Sequence, residues 1–186
     1  EQGLIGPREV PRIWSRHLLN CAVVADPAEN LLLSGAVVAD VGSGAGLPGL
    51  VWALARPDLK LVLIEPLLRR ANFLTTVVDR LNLRSAVTVT RVRAEDLAKQ
   101  GDWAGVDVVT ARAVAPLVKL LGWTVPLLRP GGTMVALKGS SVATEVAEAG
   151  PVVTELGITD LRIVVCGQGV VEPLTTVVLA TRGAAQ

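Results

Sequence analysis

The sequence contains no tyrosine, one phenylalanine and four tryptophans among 186 residues. Its core must therefore be aliphatic. With 51% hydrophobic residues there is enough material for a single domain with a substantial core, residues 1–186. There are only two cysteines, Cys21 and Cys166, far apart and without CxxC spacing. That fits a reducing compartment better than a disulfide framework and gives no expectation of a metal site. No apolar run approaches the roughly 18 residues of a membrane span. The first residues, Glu1-Gln2-Gly3-Leu4, lack the basic and apolar stretches of a signal peptide. A cytoplasmic protein without membrane association is expected. There is no initiator Met, so a trimmed or truncated N-terminus is also expected. Neither sign of charge dominates, at 18 Lys and Arg against 17 Asp and Glu. A net charge of +1 excludes a generally basic nucleic-acid coat, so any RNA site must be a local patch.

What is present is an alternation of strand and helix patterns. Residues 1–35 form an N-terminal helical extension, with a helix predicted from about Pro11 to Ala25 and an apolar stripe of Ile13, Trp14, Leu18 and Cys21. Residues 36–186 form the core. Short apolar runs, the mark of strands buried on both faces, predict strands at Ala36–Val41, Lys60–Glu65, Val87–Arg91, Val106–Thr110 and Thr133–Lys138. Helices are predicted at Leu47–Ala55, Leu67–Leu81, from Pro116 toward Leu128, and at Val142–Ala149. Residues 94–105 read as a short helix or loop, and Arg129-Pro130-Gly131-Gly132 as a turn. Two last strands, about Leu161–Cys166 and Thr175–Ala180, have no long helix between them. The pattern predicts an α/β, doubly wound, mostly parallel seven-stranded sheet with an antiparallel C-terminal edge.

The glycine cluster Asp40-Val41-Gly42-Ser43-Gly44-Ala45-Gly46 ends the first strand. Such loops, at the carboxyl edge of a parallel sheet, let a ligand approach without a Cβ in the way. Three readings compete: a tight turn with no ligand, a dinucleotide site, and an S-adenosylmethionine (SAM) site. Gly44-Ala45-Gly46-Leu47-Pro48-Gly49 fits G-x-G-x-x-G literally. A pyrophosphate, however, needs free N–H groups at the helix start, and Pro48 removes one. Asp40 also sits poorly beside a pyrophosphate. It suits SAM, which has no phosphate but carries an ammonium and a sulfonium, either directly or through the loop amides that the acid organises. Glu65 ends the second strand, where a carboxylate accepts the ribose hydroxyls of an adenosine. It supports a nucleoside without choosing between NAD and SAM, and its alternative is an acid interacting with a helix dipole.

Arg16-His17-Leu18-Leu19-Asn20, the glycine motif extended by Leu47-Pro48-Gly49, Arg69-Arg70, Arg93-Ala94-Glu95, Ala111-Arg112-Ala113 and Ala136-Leu137-Lys138-Gly139 occur in that order. Together, over nearly the whole chain, they resemble the RsmG (GidB) family of bacterial methyltransferases, which act on guanine N7 in a decoding-centre loop of 16S ribosomal RNA. The resemblance implies a Rossmann-like class I SAM-dependent methyltransferase fold, SAM as methyl donor and S-adenosylhomocysteine as product. It implies cofactor contacts at Gly42, Leu47, Ala94, Glu95 and Arg112, beside those read at Asp40, Ser43, Gly44 and Glu65. It implies 16S rRNA as partner, in the small ribosomal subunit or a late assembly intermediate, and a link between loss of the enzyme and streptomycin response. Two departures stand out. The family usually has a further helical segment before Arg16-His17, and it often has Asp where Asn20 stands.

The residues themselves narrow the chemistry. Methylation of an exocyclic amine commonly uses an Asn/Asp-Pro-Pro-aromatic motif after the fourth strand, where this chain has Thr110-Ala111-Arg112. Cytosine C5 needs a cysteine nucleophile, and neither cysteine lies in a suitable loop. Guanine N7 already presents a lone pair and needs only positioning. Arg112 is assigned to positioning, on the cofactor carboxylate or nearby RNA, with a surface ion pair as the alternative. Arg12 and Arg16 are four apart and share a helix face. With Arg8, His17, Arg69 and Arg70 they form a candidate RNA patch, against scattered solubilising charge as the alternative. Lys138 ends the fifth strand, either holding a phosphate or exposed without a role. His17, the only histidine, is expected to be structural or to touch RNA rather than to transfer protons. Two rival functions remain: a non-catalytic SAM- or RNA-binding module, and an NAD-dependent oxidoreductase.

Overall fold

The short apolar runs become strands, namely β1 (Val37–Val41), β2 (Lys60–Ile64), β3 (Val87–Thr90), β4 (Val106–Arg112), β5 (Leu128–Lys138), β6 (Ile158–Cys166) and β7 (Thr175–Arg182). In the computed structural model, which describes residues 7–184, they form one seven-stranded sheet in the order β3-β2-β1-β4-β5-β7-β6. The first five are parallel neighbours, and β7 runs antiparallel between β5 and β6. The expected antiparallel C-terminal edge is therefore present, with β7 inserted inside it. Glu1–Gly6, which carried the signal-peptide reading, lie outside the described residues, as does the Arg8 side chain. No helix among the described residues is long and apolar enough to cross a membrane.

Strand alternation splits the core into two layers. Val38, Leu61, Leu63, Val108, Val135, Leu137, Val177 and Leu179 face one side. There they pack against α1 (Asn20–Val24), α2 (Gly49–Ala55) and α3 (Leu68–Arg80). Ala39, Val41, Ile64, Val109, Ala111, Met134, Ala136 and Val178 face the other. That side is covered by α4 (Ala94–Leu97), α5 (Leu117–Thr124), α6 (Val142–Glu148) and α7 (Gly150–Glu155). By the same alternation Asp40, Glu65 and Arg112 project to the α1–α2 side, at or next to the carboxyl ends of their strands.

Four local differences separate the structure from the sequence reading. The N-terminal helix winds first as a 3-10 segment (Pro7–Arg12), then as a π-helical turn (Ile13–Leu19), and becomes α-helical only at α1. Within its predicted stripe Cys21 is buried while Trp14 is 70% exposed. The Arg129–Gly132 turn is an excursion inside β5, which pairs Leu128 with Val106 and resumes at Thr133 opposite Val108. A Cβ on Gly132 would lie 2.9 Å from Asp107 O, so the bulge closes only on glycine. Helix α5 stops at Thr124, and a 3-10 turn over Val125–Leu127 leads into β5. Finally, α7 follows α6 because Pro151 occupies the first turn of a new helix, a position that tolerates its missing N–H.

Candidate active site

The glycine loop is held from below. Asp40 is fully buried, and its Oδ2 accepts the Gly49 N–H at 3.1 Å, at the start of α2. Ser43 Oγ donates to Asp40 O at 2.7 Å. The Gly42 and Ser43 amides donate to Ile64 O at 2.9 and 3.2 Å, pinning the loop to the end of β2. Glu65 completes the frame: Oε2 accepts Gly44 N–H and Oε1 accepts Leu67 N–H, both at 3.0 Å. Gly42 has φ 68°, and a Cβ there would press on Val114 at 3.0 Å. At Gly44 (φ 54°) the nearest atom to such a Cβ is Gly42 O at 3.7 Å. The space above this residue is therefore open to a ligand.

Burial pushes the Asp40 carboxyl up to about 7. The Gly49 amide opposes that rise and the neighbouring Glu65 carboxylate adds to it. Asp40 Oδ1 is buried without a hydrogen-bond partner among the described residues. Of the two roles considered for this acid, the geometry matches the indirect one, organising loop amides.

Beside the loop lies a cavity of about 150 Å³ lined by Val41, Gly42, Ile64, Pro66, Arg93, Ala94, Glu95, Val114 and Trp123. Mostly apolar walls with a charged rim suit a planar base. The predicted contacts Gly42, Ala94 and Glu95 meet here. Glu65 is 2% exposed and its two oxygens already hold amides, each keeping a second lone pair. Ser43 is buried and Leu47 packs into the α1–α2 core layer; neither lines this cavity.

A second, larger cavity of about 820 Å³ opens past the ends of β4 and β5. Arg12, Arg16, Arg112 and Lys138 line it, together with Glu145 and Glu172. Arg112 anchors the N-terminal segment here. Its Nη2 donates to Arg16 O at 3.2 Å and to His17 Nδ1 at 2.8 Å, and Nη1 donates to Cys21 Sγ at 3.6 Å. A guanidinium only donates, so Nδ1 must be the acceptor. The ring proton then sits on Nε2 and is donated to Glu9 Oε2, 2.9 Å away. This hydrogen bond from His17, aided by Arg16 and Arg12, holds the Glu9 carboxyl below the usual carboxylate range. Burial pushes the Cys21 thiol up to about 11 despite Arg112, so it stays protonated. Ala113 follows with φ 54°, an uncommon left-handed conformation for a residue with a Cβ, and turns the chain sharply out of β4.

Lys138 corrects an expectation. Its Nζ is 2.6 Å from Glu145 Oε2 and donates to Ala115 O at 3.1 Å, with a side chain only 9% exposed. Glu145 also accepts from Ser141 Oγ at 2.8 Å and from Leu117 N at 2.7 Å. Burial raises its carboxyl, but these donors outweigh it and the net shift is downward. Lys138 therefore staples β5 to α5 and α6, with one N–H left over. Arg69 and Arg70 are exposed in the first turn of α3 and line neither cavity. Sequence reasoning missed Glu9, Glu145 and Glu172, which carry no motif of their own.

Strand order, antiparallel β7 and a glycine loop after β1 define the class: the Rossmann-like fold of the SAM-dependent methyltransferases. A SAM-dependent O-methyltransferase from Thermotoga maritima shares it with a TM-score of 0.67 at 15% identity, over 96% of this chain and 71% of that one. An O-methyltransferase family protein from Burkholderia thailandensis gives 0.64 at 15% identity, over 89% and 56%. Within this class, the family described as GidB, rRNA small subunit methyltransferase G, matches residues 1–174. Ribosomal RNA small subunit methyltransferase G from Salinispora arenicola is 58% identical over 182 residues, 95% of this chain and 73% of its own. The protein of that name from Streptomyces avermitilis is 54% identical over 178 residues, 96% and 72% respectively. The chain belongs to this family.

Proposed function

We propose that this protein is an enzyme that methylates N7 of a guanine in a decoding-centre loop of 16S rRNA, with SAM as donor and S-adenosylhomocysteine as product. SAM supplies an electrophilic methyl on a sulfonium; the N7–C bond forms as the S–C bond breaks and its electron pair stays on sulfur. The chain's residues hold and orient the partners. Open Gly44 and the apolar cavity at Gly42, Ala94 and Glu95 fit the adenosine half of SAM. Glu65, buried beneath Gly44 and bonded to its amide, fits the ribose through its remaining lone pairs. Arg112 sits between the glycine loop and the larger cavity and fits a positioning role, with Arg12 and Arg16 meeting phosphates.

The observation that carries the N7 reading is the state of the groups packed at Arg112. His17 has both ring nitrogens engaged, Cys21 stays a thiol, and Lys138 is ion-paired nearby. A reaction needing no proton removal suits such a site, because N7 attacks with a lone pair it already has. The substrate is 16S rRNA within the small subunit or a late assembly intermediate, and the enzyme works in the cytoplasm, without a metal. Small subunits from cells lacking the gene, incubated with the protein and SAM, test this by mass mapping of the rRNA. One added N7-methylguanine in the decoding region is expected. Methyl transfer to another atom or base, or none with SAM bound, overturns the reading.

A further inference from the structure

The larger cavity attracts anions, yet one carboxylate in it has no internal use. Arg12, Arg16, Arg112 and Lys138 line it. Of its two acids, Glu145 is consumed by Lys138, Ser141 and the Leu117 amide. Glu172 is exposed and has no hydrogen bond or ion pair with any described residue. An unpaired carboxylate among these cations repels phosphate, and the substrate group that complements it is one that presents N–H donors.

The fold fixes where Glu172 stands. It lies on the loop between β6 and β7, three residues before Thr175, where β7 begins. Thr176 pairs with Lys138, Val177 with Leu137, and Leu137 with Arg112. The carboxyl ends of β4 and β5 thus lie beside the start of β7, and β7 is about 10 Å across the sheet from Arg112, two strand spacings away. Pro173 and Leu174 follow Glu172 in the same cavity wall, with Leu174 38% exposed, and offer an apolar surface for a base plane.

Among the four RNA bases only guanine presents two adjacent N–H donors on its Watson–Crick edge, N1–H and the N2 amine. Adenine and cytosine set a ring-nitrogen acceptor beside their amine, and uracil flanks one N–H with two carbonyls. A carboxylate accepts both guanine donors at once, in charge-assisted hydrogen bonds. The geometry points to Glu172 as the residue that reads the target base, gripping the Watson–Crick edge from the β7 side while N7, away from that edge, faces the methyl group near β4. This rests on guanine N7 being the acceptor.

The test uses unmethylated small subunits reconstituted with guanine or inosine at the target position; inosine lacks only the N2 amine. With the wild-type protein, inosine is expected to lower kcat/KM about tenfold or more. Glu172→Ala is expected to lower kcat/KM on guanine subunits by a similar factor and to abolish the preference, with guanine and inosine within about twofold. S-adenosylhomocysteine affinity should be unchanged, showing an intact fold. The inference is overturned if Glu172→Ala matches the wild type on guanine subunits, or keeps the full inosine penalty. Mass mapping of the wild-type product separates the two levels. Any product other than N7-methylguanine removes the N7 reading and this role with it. N7-methylguanine made equally well by both proteins removes the role of Glu172 alone.

Discussion

Arg112 has five N–H donors and no acceptor, so everything it touches in the structure must accept. Arg16 O, His17 Nδ1 and Cys21 Sγ do so, and through them the end of β4 fixes the N-terminal segment. Because Nδ1 accepts from Arg112, the Nε2 proton of His17 points toward Glu9. This separates the two residues experimentally. Arg112→Ala removes the positioning group and releases the segment, and single-turnover methylation at saturating RNA and SAM is expected to fall by about 10²-fold or more. His17→Gln keeps a donor and an acceptor, and its rate should stay within about tenfold, roughly 1.4 kcal/mol of barrier. Rapid-quench measurements on both variants check this. A loss in His17→Gln as deep as in Arg112→Ala would mean that His17 takes part in the chemistry.

At the scale of elements, the N-terminal segment forms a wall of the larger cavity. Arg12, Ser15, Arg16 and Asn20 line that cavity, and the segment is stapled by Trp52 Nε1 to Cys21 O at 2.8 Å and Thr175 Oγ1 to Asn20 O at 3.3 Å. If its arginines meet phosphates, Arg12→Gln with Arg16→Gln should raise the KM for small subunits and leave SAM affinity near wild type. The slope of log affinity against log salt should become shallower by about one to two, one per lost phosphate contact. Arg69→Gln with Arg70→Gln should do less, because neither residue lines the cavity. An unchanged KM for the Arg12/Arg16 double variant at low salt would reduce that pair to solubilising charge. Much of this was legible in advance. Buried apolar runs marked the strands, and the glycine motif and Arg93-Ala94-Glu95 marked the small cavity, because those signals are local in sequence. What escaped depends on contacts between distant segments. Lys138 reads as a free cation until α6 brings Glu145 to it. Arg112 and His17 lie on different elements, and only folding shows that one orients the other. Gly150-Pro151 resembles a stop signal unless a second helix is known to start there. Glu172 carries no motif, and its lack of a partner is visible only in the folded cavity.

For the whole molecule, carboxyl groups shifted in opposite directions by the fold make stability follow pH. Asp40 is fully buried with its pKa pushed up to about 7 by burial. Its unfolded value is about 3.9, so between these limits the native state binds more protons than the unfolded chain. Stability from this group is fully present below about pH 4 and is lost as pH rises through 7. A carboxyl that is this much harder to ionise in the fold than in the open chain costs roughly 4 kcal/mol once it is forced to ionise. Asp58 acts in the opposite sense. Arg56 beside it, and then the Gly35 amide, hold its carboxyl well below the usual range, so its contribution is present above about pH 4 and lost as pH falls. Between them, these two groups favour the acidic side of neutrality. Asp40→Asn removes only the first effect, because an amide oxygen can still accept the Gly49 N–H and nothing titrates. Urea unfolding of the ligand-free protein at about pH 5 and pH 8 should therefore show the variant gaining on the wild type by a few kcal/mol as pH rises. Ligand must be absent, since SAM binding adds its own stabilisation to the native state. The same variant keeps the glycine loop's amide tether but removes the negative charge under the loop proposed to hold cationic SAM. Greater stability at the higher pH should accordingly come with weaker SAM binding there. A stability difference that stays constant between the two pH values would show that Asp40 ionises as easily in the fold as in the open chain, and that the loop does not hold a reluctant carboxylate.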